Sequence, residues 1–136
     1  MDLAELNTLD RSEAAAVFAA CCNARAWVDR MVAARPFHDA TKMLTAAGEV
    51  WWDLSADDWE EAFAAHRDGP TTPAFVEYER RFGHPYVVFA ADLSAEESDA
   101  VYRRRLSNDP LSELSVTATE QARITNRALR RLLGLF

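Results

Sequence analysis

Leu54–Gly69, LSADDWEEAFAAHRDG, is the most sharply punctuated stretch of the chain. Ser55 stands where a helix N-cap is needed and Asp58 follows at capping-box spacing, while Asp57, Asp58, Glu60 and Glu61 set negative charge against the positive end of the helix dipole. Gly69 and Pro70 stop the helix. Trp59, Phe63 and His66 recur at i, i+4 and i+7, so the spacing predicts an amphipathic helix that carries an imidazole on its apolar stripe, against packed surface. Histidine changes charge near neutral pH, which makes His66 a candidate general acid or base. By spacing alone the commoner reading is a core-edge histidine bonded to a backbone carbonyl.

The same punctuation recurs on both sides. Asp10 and Glu13 box the start of SEAAAVFAACC, with Ala14, Phe18 and Cys21 or Cys22 inward, and Leu3, Leu6 and Leu9 before it dock a short turn. Asn23 is positioned to cap ARAWVDRMVAAR, whose buried face is Trp27, Val28, Met31 and Val32 and whose stop is Arg35-Pro36. A third helix from about Asp39 to Asp53 places Met43, Leu44, Ala47, Val50 and Trp51 on one side. Beyond the loop RDGPTTPAF, a short helix, PAFVEYERRFG, ends at Gly83; Ser94 and Glu97 cap AEESDAVYRRRLSN. Asp109-Pro110 opens a long final helix with Leu111, Leu114, Ala118, Ala122, Thr125, Ala128 or Leu129, and Leu132 inward. Arg123, Arg127, Arg130 and Arg131 fall on its other faces, where solvated cations near a C-terminus are the ordinary reading. HPYVVFAADL is the one β-like run, led by an X-Pro step that disfavours helix at His84. Without a partner strand it reads as a short extended segment near 84–91, whose main chain needs partners in neighbouring helices or in a ligand. The fold class that follows is all-α, a single-domain bundle of about seven helices over residues 1–136.

Composition narrows the function. A chain of 136 residues, 49% hydrophobic, fits one domain with an ample core. A net charge of −7 argues against nucleic acid as the main partner, since phosphate binding needs a basic face; a small anionic substrate remains open where arginines converge. Neither a signal-like N-terminus nor a run of about 18 apolar residues is present, which points to a cytoplasmic protein with no membrane span. Cys21 and Cys22 are adjacent, a poor geometry for a mutual disulfide or a zinc pair, and read as small buried hydrophobes. His38, His66 and His84 show no metal-ligand spacing and no Gly-rich phosphate loop is present, so the expectation is no metal and no cofactor.

In order along the chain, Cys21-Cys22-Asn23, Trp27, Met31, Arg35-Pro36-Phe37, Trp52, Leu54 and the run Asp58 to His66 resemble the first half of the 2-oxo-4-hydroxy-4-carboxy-5-ureidoimidazoline (OHCU) decarboxylases. Tyr78 to Gly83, Tyr86 to Ala90, Arg105 to Asp109, Glu113-Leu114, Glu120 and Ile124 to Arg127 resemble the second half. The resemblance implies an all-helical, cofactor-free lyase of purine catabolism, commonly a homodimer, that converts OHCU to the ureide (S)-allantoin and CO2. It implies His66 as the catalytic histidine and Arg127 as the substrate-binding arginine. Main-chain groups of the extended segment, at Tyr86, Val87, Val88, Phe89 and Ala90, would hold the ring.

The chain departs from the family pattern at the same place. His66-Arg67-Asp68-Gly69 stands where the family reads His-Pro-x-Ile/Leu-Gly, and a following stretch that carries Ser-x-x-Glu-Gln, with a second catalytic carboxylate, is absent. Two functions follow. One is a decarboxylase acting on OHCU or a related small carboxylate in a specialised pathway; the other is a non-catalytic helical binding or assembly domain that has lost its second carboxylate.

Overall fold

The computed structural model describes residues 1–68 and 73–135. Helices α1 (Leu3–Thr8), α2 (Arg11–Cys21), α3 (Arg25–Ala34), α4 (Ala40–Trp52), α5 (Ala56–Ala64), α6 (Pro73–Phe82), α7 (Ala95–Leu106) and α8 (Pro110–Leu132) account for most of them, with a 3-10 turn at Ala65–Asp68. No strand occurs among the described residues, and no helix there is long and apolar enough to cross a membrane. The predicted Gly69-Pro70 stop lies outside the described residues.

Local capping works as the spacing predicts. Asp10, Asp39 and Asp109 accept backbone N–H bonds three residues on, and the boxes Ser55–Asp58 and Ser94–Glu97 close in both directions. Asn23 does not cap α3. Ala24 holds that position without a side-chain bond, and the orphan amide of Arg25 instead donates to Glu61 Oε1 of α5 at 2.5 Å. A distant helix thus supplies what the local sequence lacks.

The core lies where α2, α3, α4, α5 and α8 meet, around Phe18, Trp27, Met31, Met43, Phe63 and Leu129. Each buried indole ties its helix to another, because an unpaired N–H in the core is costly. Trp27 Nε1 donates to the Ala47 carbonyl at 3.1 Å and Trp51 Nε1 to that of Ala118 at 3.0 Å. Cys21 and Cys22 are free and buried in this core, and burial pushes both thiols up to about 11.

Three departures from the sequence reading have tertiary causes. Leu3–Thr8 is a helix, and Arg35 Nη1 caps its end by donating to the carbonyls of Leu6 and Leu9 at 2.9 and 2.7 Å. Leu111 is 79% exposed and leaves the stripe of α8. The inward face of that helix is instead partly polar, with Glu113, Thr117, Gln121 and Thr125 all buried. At the end of α6, Gly83 adopts φ 81°, the left-handed C′ conformation open to glycine. The chain then runs extended through 85–90, bound to the α7–α8 side of the bundle.

Candidate functional site

α5 gives way at Ala65 to the 3-10 turn that carries His66. Phe63 stays fully buried, whereas His66, at the end of the same stripe, is exposed. This corrects the expectation that the imidazole lies against packed surface. One ring nitrogen is nevertheless fixed: His66 Nε2 lies 2.7 Å from Gln121 Oε1. Gln121 is 2% exposed, and its amide nitrogen donates to Thr125 Oγ1 at 3.1 Å. That bond turns the amide oxygen toward His66. An amide oxygen only accepts, so Nε2 carries the hydrogen and Nδ1 is left to exchange a proton. Arg67, next in sequence, pairs with Glu79 of α6 at 2.6 Å and ties the 3-10 turn to that helix.

The extended segment is held by a buried ionic post. Arg105 and Glu113, side chains 3% and 0% exposed, pair at 2.7 Å. Tyr78 donates its hydroxyl to the same carboxylate, Asn108 Nδ2 donates to it at 3.1 Å, and Arg105 Nη2 donates to Thr117 Oγ1 at 3.1 Å. Burial disfavours the charged guanidinium, but the hydrogen bond and charge of Glu113, helped by Tyr78 and Tyr86, overcome it and raise its affinity for the proton. Arg105 Nη1 then donates to the Val87 carbonyl at 2.5 Å, and its guanidinium lies 4.6 Å from the Tyr86 ring centroid. Two residues on, the Phe89 amide donates to Glu120 Oε1 at 3.2 Å. The Ala90 carbonyl accepts from the Leu93 amide at 3.2 Å. One main-chain group at each of Val87, Phe89 and Ala90 is thus bonded within the chain. The main-chain groups of Val88 have no partner among the described residues.

Arg127 meets Phe89, its guanidinium 5.9 Å from the ring centroid, with Arg123 nearer at 4.7 Å. Both arginines, Arg130, Phe89, Trp52 and Gly48 line a cleft of about 580 Å³ between α4 and α8. His66 does not line it. Gln121 and Arg127 are about 9 Å apart along α8 and roughly 120° apart around it, with half-buried Ile124 on the strip between them. The structure therefore joins Arg127 to Phe89 and seats His66 on the same helix, on the other side of Ile124. Among the described residues no three His, Cys, Asp or Glu side chains converge as metal ligands.

The OHCU decarboxylase family model matches residues 7–68 and 74–130. The chain belongs to the OHCU decarboxylase family. The interruption in the match falls directly after the 3-10 turn that carries His66, where the Ser-x-x-Glu-Gln stretch is missing. One relative, the uric acid degradation bifunctional protein TTL of Arabidopsis thaliana, is 24% identical over 148 residues, covering 84% of this chain and 45% of that protein. The chain thus spans less than half the length of this relative. Among solved structures, an OHCU decarboxylase crystallised in the presence of (S)-allantoin superposes with a TM-score of 0.77 at 22% identity, over 86% of this chain and 96% of that one. An (S)-allantoin synthase gives 0.76 at 15% identity, over 96% of this chain and 54% of that one. The all-α architecture is that of the OHCU decarboxylases.

Sequence reasoning missed Gln121, although a signal existed: Thr117, Gln121 and Thr125 form a polar i, i+4, i+8 row inside an otherwise apolar face. Arg105, Glu113 and Tyr78 entered only as motif letters, with no hint that they meet. Their burial has a measurable consequence. Burial raises the phenols of Tyr78 and Tyr86 above the ordinary value of 10.0, Tyr78 also through its bond to Glu113 and Tyr86 despite Arg105 nearby. In ultraviolet titration at pH 10 the folded protein should show less phenolate than the protein unfolded in urea. Because the fold favours the neutral phenol, this contribution to stability is complete below about pH 10 and declines as pH rises beyond it. Ordinary titration of all three tyrosines in the folded protein would contradict the buried network.

Proposed function

We propose that the chain, as one OHCU decarboxylase-like domain over residues 1–136, is a cofactor-independent carbon–carbon lyase. Its substrate is OHCU, giving (S)-allantoin and CO2, or a related ureido- or imidazoline-type carboxylate. The observation that carries this reading is the seating of His66 Nε2 on buried Gln121, with Nδ1 turned free on the helix that also presents Arg127. Loss of CO2 breaks the carbon–carboxylate bond and leaves its electron pair on carbon, which must then take a proton on one face. An imidazolium at His66 gives up its Nδ1 proton and becomes the Nε2–H tautomer, which Gln121 holds in both states. Arg127 holds the anionic substrate beside Phe89, Ile124 forms the floor between the two groups, and the open main-chain groups of Val88 take the ring's polar edge. The family's second carboxylate has no replacement, so His66 alone carries the proton transfer.

The direct test is release of CO2, and the chirality of the product, with freshly generated OHCU; no release from OHCU or related ureido acids would sink the reading. A narrower test concerns Arg127. Arg127→Lys keeps the charge but loses the planar fork that engages a carboxylate through two bonds, so affinity for a carboxylated substrate should fall about tenfold. Equal affinity of the two proteins would return Arg127 to the solvated surface. The homodimer that the family resemblance implies is read by sedimentation velocity.

One observation favours the non-catalytic reading, a helical binding or assembly domain. The Val87 carbonyl and the Phe89 amide are spent on Arg105 and Glu120, which leaves fewer main-chain groups of the segment open to a ring.

A further inference from the structure

We propose that the cleft between α4 and α8 is a binding site for a planar aromatic dianion, wider in scope than the carboxylate contact assigned to Arg127. Arg123, Arg127 and Arg130 stand at i, i+4 and i+7 on one face of α8, a ladder of guanidiniums about 10 Å long. Only Arg123 has a carboxylate partner among the described residues, Glu120 at 3.2 Å; Arg127 and Arg130 have none. In a chain of net charge −7, two unpaired guanidiniums facing one cleft mark a place built for anions. Phe89, its ring beside the Arg123 and Arg127 guanidiniums, and Trp52, 49% exposed, add aromatic surface to the lining. A volume of about 580 Å³ suits a ring-bearing molecule and is generous for a bare ion.

Gly48 is the independent observation. It sits in the interior of α4, where glycine costs roughly 1 kcal/mol relative to alanine. No close packing requires it: a Cβ built there meets nothing within 4 Å, and its φ is not positive. The missing side chain leaves empty space on the wall that Gly48 shares with Trp52, one turn on. A side chain longer than alanine's would project into that space, so a small residue at 48 keeps the cleft open. This inference shares Arg127 and Phe89 with the decarboxylase reading and so rests on the same side of α8.

Calorimetric titration of the full chain tests it with three probes: terephthalate, benzoate and cyclohexane dicarboxylate. Terephthalate should bind, with benzoate about tenfold weaker for want of a second anion and cyclohexane dicarboxylate about tenfold weaker for want of a flat ring. Gly48→Leu should abolish terephthalate binding while raising or preserving the unfolding midpoint, whereas Gly48→Ala, adding one carbon into open space, should still bind. Arg130→Gln should reduce terephthalate to the benzoate level and leave benzoate unchanged. Absence of saturable terephthalate binding, wild-type binding by Gly48→Leu, or equal affinity for the cyclohexane analogue would overturn the proposal. Heat of binding is read without turnover, so a protein that binds terephthalate but releases no CO2 from OHCU loses only the decarboxylase reading.

Discussion

Arg105→Met should lower the free energy of unfolding in urea by about 3–5 kcal/mol, the usual cost of stranding one member of a buried ion pair. Methionine fills much of the volume, so the loss is electrostatic rather than a cavity effect. Glu113 would remain as a carboxylate with no exposed area, supported only by the Tyr78 hydroxyl, Thr117 and Asn108. The Val87 carbonyl would lose its donor at the same stroke. The double variant Arg105→Met/Glu113→Gln should recover part of the loss, because the stranded charge is gone and a neutral amide can still accept from Tyr78. Strictly additive effects would show that the two side chains do not act as a pair. The same variant should weaken ligand binding, since the post that holds Val87 also fixes Phe89 beside Arg127.

His66→Gln should reduce turnover by about 100- to 10,000-fold, the range typical of losing a positioned acid or base, with folding nearly intact. The side chain is largely exposed and makes one hydrogen bond, to Gln121, so little packing is lost. On the proposed mechanism, in which His66 alone transfers the proton, wild-type kcat should follow one ionisation rather than a bell. Gln121→Leu is a useful companion. It frees the ring without removing it, so kcat should fall with KM little changed, as expected of a residue that positions the acid and does not touch substrate. Turnover within about tenfold of wild type in His66→Gln would remove the imidazole from the mechanism.

The helices were readable because their determinants are local. A capping box is closed by residues three apart, a stripe repeats every three or four positions, and both Ser55–Asp58 and Ser94–Glu97 behave as their spacing requires. Family membership was readable too, from ordered motifs spread over almost the whole chain. The candidate site was readable only as letters. Nothing local says that Glu61 caps α3, since the orphan amide and its acceptor are 36 residues apart. Nor does spacing reveal that Arg105 and Glu113 share a dry pocket with Tyr78, or that the polar row on α8 turns inward while Leu111 turns out. Periodicity assigns polar residues to solvent, and that rule fails where polar groups satisfy one another away from water. His66 shows the same limit from the other side. Its i+7 position predicted a buried imidazole, but position on a stripe does not say whether a neighbour covers it: the ring is exposed, and the tertiary bond to Gln121 fixes which nitrogen can carry a proton.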